Sequence, residues 1–413
     1  MARWIGLLDC NNFFVSCERL FRPDLWQKPV VVLSSNDGCI VARSQEVKDM
    51  GVPMGVPYFQ VKDSLRQAGA TVFSSHFALY RDLSRRVFSV LREEVAVVEE
   101  YSIDEAFFLI DSAAPALVAA RVREAVERRV GIPVSIGVAA SKTLAKCANA
   151  HAKKTTGSYV LPMEAWRRRA LVTPLASIWG VGGRLAQRYQ AHGLTSAADL
   201  MAAERTRVAR CFGVAGVRLQ RELWGESVFS VTPQLTPPKS LRSSRSFATA
   251  TNDHAVLADA VAYHTRQVAV TLRTYQLGAQ RIRVSIRPSW YGDFFLRGGS
   301  KEAVLPHPSN DTLVLLQTAQ QLLDEVFTAE VPYQKAGVEV GQLAPDCTVQ
   351  APLFTTARET VTARAELWQT VDALNQTFGR EVVQLGTRQR QARWRPKQAQ
   401  CSPAYTTRWS DVA

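Results

Sequence analysis

Two acidic positions constrain this chain more than any other feature. Residues 4–8 (WIGLL) form a short apolar run ending in Asp9, which reads as a buried strand with a carboxylate at its tip. Residues 97–110 (VVEEYSIDEAFFLI) are rich in β-branched and aromatic side chains and carry Ser102-Ile103-Asp104-Glu105 at their middle. Neighbouring side chains in a regular strand point to opposite faces. Asp104 and Glu105 can therefore serve one site only if the chain turns between runs 97–103 and 106–110. Carboxylates gathered in one place repel one another, and magnesium relieves the repulsion because it takes a few carboxylates together with phosphate oxygens and water. Two such ions a few ångströms apart can activate a 3′-hydroxyl and stabilise a leaving pyrophosphate. Taken singly, each acid also reads as an ordinary strand-end or turn residue.

Strand and helix patterns alternate around these acids. Val30 to Ser34 is strand-like and leads into the turn Asn36-Asp37-Gly38. Residues 77–95 predict a helix, with Leu79, Leu83, Val87 and Leu91 at steps of four. A further helix is expected over 116–130, a strand over 134–139 (VSIGVA) and a helix over 142–154. The alternation over 1–12 and 76–160, with a separate block between, predicts an α+β sheet domain carrying an insertion. Residues 164–232 read as helical with glycine turns, and TPQLTPPK (232–239) reads as a linker. Residues 242–345 mix strands, such as 281–287, with helices, such as 312–327, and predict a second α+β domain. The segment after 350 shows one helix near 360–378.

Composition bears on partners and compartment. The formal net charge of +13 favours a polyanionic partner, nucleic acid above all. The seven cysteines (Cys10, Cys17, Cys39, Cys147, Cys211, Cys347, Cys401) are scattered and form no CxxC pair, which argues against a disulfide framework or a zinc site and fits a reducing cytosol. Neither a signal peptide nor a membrane span is expected.

Several further patterns carry basic charge. Lys142, Lys146, Asn149 and Lys153 share one helix face, which reads as a phosphate-facing or a solvated surface. GVAASKT (137–143) lacks the second glycine of a phosphate loop and is one residue short, so that reading is rejected. IWGVGGR (178–184) followed by LAQRYQAHG reads as a helix-hairpin-helix, in which Gly180 and Gly182 let backbone approach a phosphate and Arg184 opens the next helix. Arg242, Arg245, Arg273, Arg281, Arg283 and Arg287 populate the second α+β domain; the alternation at 281, 283 and 287 puts charge on one strand face, suited to a DNA backbone or to solvent. Arg388, Arg390, Arg393, Arg395, Lys397 and Arg408 form a basic tail without acids between 387 and 408.

The stretches LDCNNFFVSCE (8–18), RPDLWQKPVVVLSSNDGCIVARS (22–44), YSIDEAF (101–107), SKTLAKCANAHAKK (141–154), IWGVGGR (178–184), YQKAGVEVG (333–341) and SPAYTTRWSD (402–411) resemble Y-family DNA polymerases, above all the UmuC-type catalytic subunits of bacterial DNA polymerase V and their plasmid-borne relatives. The resemblance implies an α+β multidomain, right-hand polymerase: palm (1–12 and 76–163), small fingers (13–75), helical thumb with the helix-hairpin-helix (164–232), linker (233–241), little finger (242–347) and a C-terminal interaction tail (348–413). It implies that Asp9, Asp104 and Glu105 and the backbone carbonyl of Cys10 ligate two Mg2+ ions. Phe14 would stack under the incoming sugar and exclude a 2′-hydroxyl, with Phe13 beside it, while Lys48 and Lys153 would hold the triphosphate. Gln45 and Lys48 depart from the Tyr and Arg of many members. Gln350-Ala351-Pro352-Leu353-Phe354 resembles the peptide with which bacterial polymerases dock on the sliding clamp, Gln350, Leu353 and Phe354 being its anchors. The implied activity is error-prone translesion synthesis in the SOS response, in the cytoplasm, on primer-template DNA and dNTP, with the clamp, a processed UmuD-type subunit and RecA as partners. A palm-type nucleotide cyclase and a non-catalytic DNA-binding repair scaffold are the competing readings. The helix-hairpin-helix and the basic second domain argue against the cyclase, and the three intact acids against the scaffold.

Overall fold

The computed structural model describes residues 3–233, 237–288, 298–346, 357–378, 382–383, 394 and 396–411. The chain divides into two compact units. One comprises residues 1–34, 38–235 and 399–413, the other 35–37 and 236–398.

The first unit is built on a five-stranded sheet of order β5-β6-β1-β7-β8, with β1 (Arg3–Cys10) at its centre. β5 (Val98–Glu100) and β6 (Glu105–Asp111) make an antiparallel hairpin, β6 and β7 (Val134–Ala139) flank β1 antiparallel, and β8 (Ser158–Val160) adds parallel to β7. Both faces of β1 are buried, so its sequence is almost continuously apolar rather than alternating. Leu8 and Cys10 pack with α4 (Phe77–Glu94) and α5 (Pro115–Val130) in one core, whereas Ile5 and Leu7 face α6 (Lys142–Ala152) in another. The expected stripe of Leu79, Leu83, Val87 and Leu91 is the buried face of α4. Gly137 allows α6 to lie directly on the sheet. A Cβ there would come within 2.1 Å of the Asn149 nitrogen and 2.4 Å of the Ala145 oxygen. Asn149 in turn donates to the carbonyls of Leu7 and Ser135, tying α6 to β1 and β7.

Between β1 and α4 sits a smaller layer: α1 (Phe13–Leu20), β2 (Val30–Leu33), β3 (Ile40–Arg43), α2 (Gln45–Asp49), α3 (Tyr58–Gln67) and β4 (Thr71–Ser74). Its three strands order β3-β2-β4 and share a core of Val31, Leu33, Ile40, Val47 and Leu65. After β8 the chain is helical: α7 (Met163–Ala170), α8 (Gly183–Ala191), α9 (Ala197–Ala202) and α10 (Arg205–Leu223). They pack on the α6 face through Trp166, Tyr189, Leu200 and Leu219.

The second unit is an antiparallel sheet of order β11-β10-β12-β9, from β9 (Ser240–Thr251), β10 (Leu277–Pro288), β11 (Gly299–Ser309) and β12 (Tyr333–Pro345). Helices α11 (His254–Thr274) and α12 (Thr312–Val326) cover one face, each started by an aspartate whose side chain accepts a backbone N–H, Asp253 from Ala255 and Asp311 from Leu313. α13 (Ala357–Thr377) is fastened by Trp368, which donates to Asp311 at 3.0 Å, and by a bidentate Arg273–Asp372 pair. Trp394 is buried in the same core and donates to Asp259. Among the described residues, no helix is long and apolar enough to cross a membrane.

Candidate active site

Asp9 is the penultimate residue of β1 and stands directly opposite Glu105 in the antiparallel pairing with β6. Directly opposed residues share a sheet face, so the two carboxyls approach each other. Asp104 precedes β6 in the turn that closes the β5–β6 hairpin, and its carbonyl accepts the Cys10 N–H at 2.9 Å. Ser102 organises this turn. Its hydroxyl donates to Asp104 Oδ1 at 2.6 Å and accepts from the N–H groups of Asp104 and Glu105. The SIDE sequence thus makes the turn that the alternation rule demanded, and one serine oxygen holds both acidic residues at its rim.

The cluster lies in a strongly perturbed field. Asp9 is 9% exposed, and burial, reinforced by Glu105 and opposed by Lys153, pushes its pKa up to about 6. Burial and the charges of Asp104 and Asp9 also drive the Cys10 thiol well upward, so this cysteine is an inert neighbour. Two lysines supply counter-charge. Lys153 Nζ is 2.7 Å from Asp9 Oδ1, and Lys146 Nζ is 2.6 and 2.7 Å from the two Glu105 oxygens. The Lys146 ammonium also lies 4.7 Å over the Tyr101 ring and 5.7 Å over that of Trp179. Among the described residues, no group of three or more His, Cys, Asp or Glu side chains stands ready to hold a metal ion. Asp104 turns to Ser102, and the other two acids are engaged by lysines. A carboxylate donor set suits a hard divalent cation, and two ammoniums supply the positive charge beside it.

The remaining residues on the sequence-predicted helix face separate in role. Lys142 is buried and bidentate to Glu99, and Asn149 is a structural bridge; neither is a solvated face nor a free phosphate contact. Lys48, on α2, donates to Asn12 at 2.5 Å, and burial followed by repulsion from Lys153 lowers its pKa, so the two cations stand near one another beside Asp9. Gln45 is tied to Asp49 within its own helix. Phe13 is a core residue, whereas Phe14 is half-buried and stacks on Tyr80 with centroids 4.4 Å apart and planes 15° from parallel. The N-terminus of α6 is occupied by protein. Ser141 caps it and the Glu222 carboxylate accepts from Thr143 N–H, which agrees with rejecting a phosphate loop at 137–143.

At 178–184, Gly180 adopts φ 86° and Gly182 caps α8 without a side chain; no atom lies within 4 Å of a Cβ built at either. Gly182, Gly183 and Arg184 are exposed at the start of α8. The element before this turn is a single 3₁₀ turn (Leu175–Ser177) following Pro174 rather than a full helix. In the second unit, Arg242, Glu339, Arg283 and Glu302 oppose one another across β9, β12, β10 and β11. Arg283 is bound to Glu302, and Arg281 lies 3.9 Å from both Glu302 and Glu339. The basic face read from 281 and 283 is thus an alternating one, with glutamates from neighbouring strands. Arg245 stands opposite the core residue Ala336 and, after burial, helps drive the His264 pKa down to about 3, so it does not share the Arg242 face. Arg273 is a structural residue, inserted between α13 and Asn310. The clamp-peptide positions Gln350, Leu353 and Phe354, together with Arg388, Arg390, Arg393 and Arg395, lie outside the described residues.

Comparison with known proteins gives the family. The impB/mucB/samB family model covers residues 8–150 and its C-terminal domain residues 238–353; a domain of unknown function (DUF4113) covers 365–413. Protein UmuC of Salmonella typhimurium (strain LT2) is 34% identical over 420 residues, 98% of this chain and 99% of that protein. Protein MucB of Escherichia coli is 33% identical over 420 residues, 98% of each chain. DNA polymerase IV of Brucella melitensis biotype 1 is 27% identical over 385 residues, 92% of this chain and 84% of that protein. These likenesses define the class as that of the Y-family DNA polymerases. Within it, the chain belongs to the impB/mucB/samB family.

Proposed function

We propose that Asp9, Asp104 and Glu105 form the catalytic centre of an error-prone translesion DNA polymerase, a cytoplasmic enzyme of the DNA-damage response. The polymerase activity follows from the family. The assignment of the centre is carried by one observation: Asp9 faces Glu105 across β1 and β6 while the Cys10 N–H is bonded to the Asp104 carbonyl, so Asp9 meets an acidic pair from a distant part of the chain at the end of the central strand.

Asp9, Asp104, Glu105 and the Cys10 carbonyl are the groups that would hold two Mg2+ ions. Bound there, the ions would polarise the phosphoryl oxygens, favour the ionised 3′-hydroxyl and offset charge on the departing pyrophosphate. Lys153 then exchanges Asp9 for triphosphate oxygens, joined by Lys48 from α2; compact ammoniums suit phosphate. Phe14, backed by Tyr80, presents a ring face to the sugar that leaves no space for a 2′-hydroxyl. The backbone around Gly180 and Gly182, with Arg184, takes a DNA phosphate, and Arg242, Arg281 and Arg283 contact backbone without reading sequence. The sliding clamp at 350–354, a processed UmuD-type subunit and RecA complete the expected partners.

The test is Asp104→Asn. Primer extension on a template with an abasic site should be lost while DNA binding is retained; undiminished extension would remove Asp104 from the centre.

A further inference from the structure

The region matched only as a domain of unknown function ends against the β4–α4 connection. Residues 399–411 belong to the first unit. They are sewn to the β4–α4 connection by a reciprocal pair: Ser74 N–H donates to the Gln400 carbonyl at 2.9 Å, and Gln400 N–H to Ser74 Oγ at 3.0 Å. Two residues on, Ser402 is buried, with its Oγ 3.2 Å from His76 Nδ1. Tyr405 then stacks on Phe21, at the end of α1, with centroids 4.5 Å apart and planes 9° from parallel. Asp411 closes the segment by accepting the Ala404 N–H at 2.9 Å.

What this segment touches is the support of Phe14. Glu18, one turn beyond Phe14 on α1, is fully buried and accepts the Tyr80 hydroxyl at 2.5 Å. Tyr80 carries the Phe14 ring, and Phe77 meets that ring edge-on at 5.8 Å. Burial raises the Glu18 pKa, whereas the Tyr80 hydroxyl stabilises its ionised form; among the described residues the second Glu18 oxygen has no hydrogen-bond partner. A buried carboxyl has few ways to satisfy its oxygens, so its position is set by the groups that surround it. The far end of the chain meets the same support through His76, which precedes α4. The path runs from Ser402 to His76, through the His76 carbonyl that accepts the Tyr80 N–H at 3.1 Å, and from the Tyr80 ring to Phe14.

We propose that residues 399–411 are a brace for sugar selection: docked against Ser74, His76 and Phe21, the segment fixes the height and tilt of the Phe14 ring, and its release loosens discrimination against ribonucleotides without removing the chemistry. Ser402 and Tyr405 are positioning residues, since neither reaches the substrate side of Phe14. The proposal deepens the reading of Phe14 as the sugar gate and rests on it.

The experiment compares deoxy- and ribonucleotide kcat/KM for the full chain, Phe14→Ala, Ser402→Ala, Tyr405→Ala, the double Ser402→Ala/Tyr405→Ala and a chain ending at 398. The tail variants should lower discrimination roughly tenfold, the scale of coupling between residues in contact, with deoxynucleotide kcat/KM nearly unchanged. In the Phe14→Ala background, where no ring remains to position, the same changes should have no effect on discrimination. If Phe14→Ala abolishes discrimination but the tail variants retain it, the brace is refuted and the gate stands. If Phe14→Ala itself leaves discrimination intact, the gate reading fails and takes the brace with it. A tail effect that persists undiminished without the Phe14 ring would mean general loosening of the fold and would equally overturn the proposal. Should the truncated chain not fold, the point variants carry the same decision.

Discussion

The cations around β1 and those on β10 are both interleaved with acids, yet the two arrangements differ in what the acids do. On β10 and its neighbours, Arg283 and Glu302 are exposed side chains that water and salt already screen. Beside β1, Asp9 and Glu105 are largely withdrawn from solvent, and Lys153 and Lys146 are the groups that keep their charge tolerable. The sheet face is therefore a surface whose net charge can be retuned residue by residue. The β1 site is a balanced set in which removing either sign leaves the other stranded. Depth, rather than the spacing of basic residues along the chain, separates the two.

This contrast can be broken by substitution. The largest effect is expected at Lys146→Met, which strands Glu105. Metal-free protein should lose about 2 kcal/mol, below the full cost of breaking a completely buried pair because both partners keep some solvent contact. Much of that loss should return on adding Mg2+, and denaturant melts with and without the ion measure both. No destabilisation, or none that the ion reverses, would show that Glu105 does not depend on its ammonium. An intermediate effect is expected from pH. With Asp9 pushed up to about 6 by burial, a proton competes with the ion. The Mg2+ concentration for half-maximal extension should rise about tenfold per pH unit below about 6 and level off above it. For the same raised group, metal-free stability is fully present below the ordinary carboxylate range and declines as pH climbs through about 6. A flat magnesium requirement between about pH 5 and 7 would contradict a titrating Asp9 ligand. The smallest effect belongs to the sheet. Arg283→Gln should weaken DNA binding equally on all sequences and reduce the salt slope by less than about one. Glu302→Gln should strengthen binding, and a loss instead would mean that Glu302 positions its arginine rather than masks it.

Much of this architecture is legible in the sequence. The apolar run ending in Asp9, the SIDE turn, the stripe of α4 and the strand–helix order through α6 are local patterns, and local periodicity specifies them. What escapes is the partner of each charged group. Lys146 reads as part of a solvated face, because nothing along the chain says that Glu105 lies over it. Glu302 and Glu339 do not show beside Arg283, because register across three strands brings them there. The end of the chain is the clearest case. Ser402, Tyr405 and Trp394 follow no helical or strand period, so they read as tail, and their packing depends on surfaces formed by residues more than a hundred positions earlier.

Gly137 lies under the helix that carries the two ion pairs beside β1. By allowing the backbone of α6 to rest on β7, its missing side chain sets how far two ammonium groups can reach, since Lys146 and Lys153 ride on that helix and its end. Even a methyl group at 137 would lift the helix as a rigid rod and withdraw both charges together, so one position far from any substrate governs the distance scale of the whole centre.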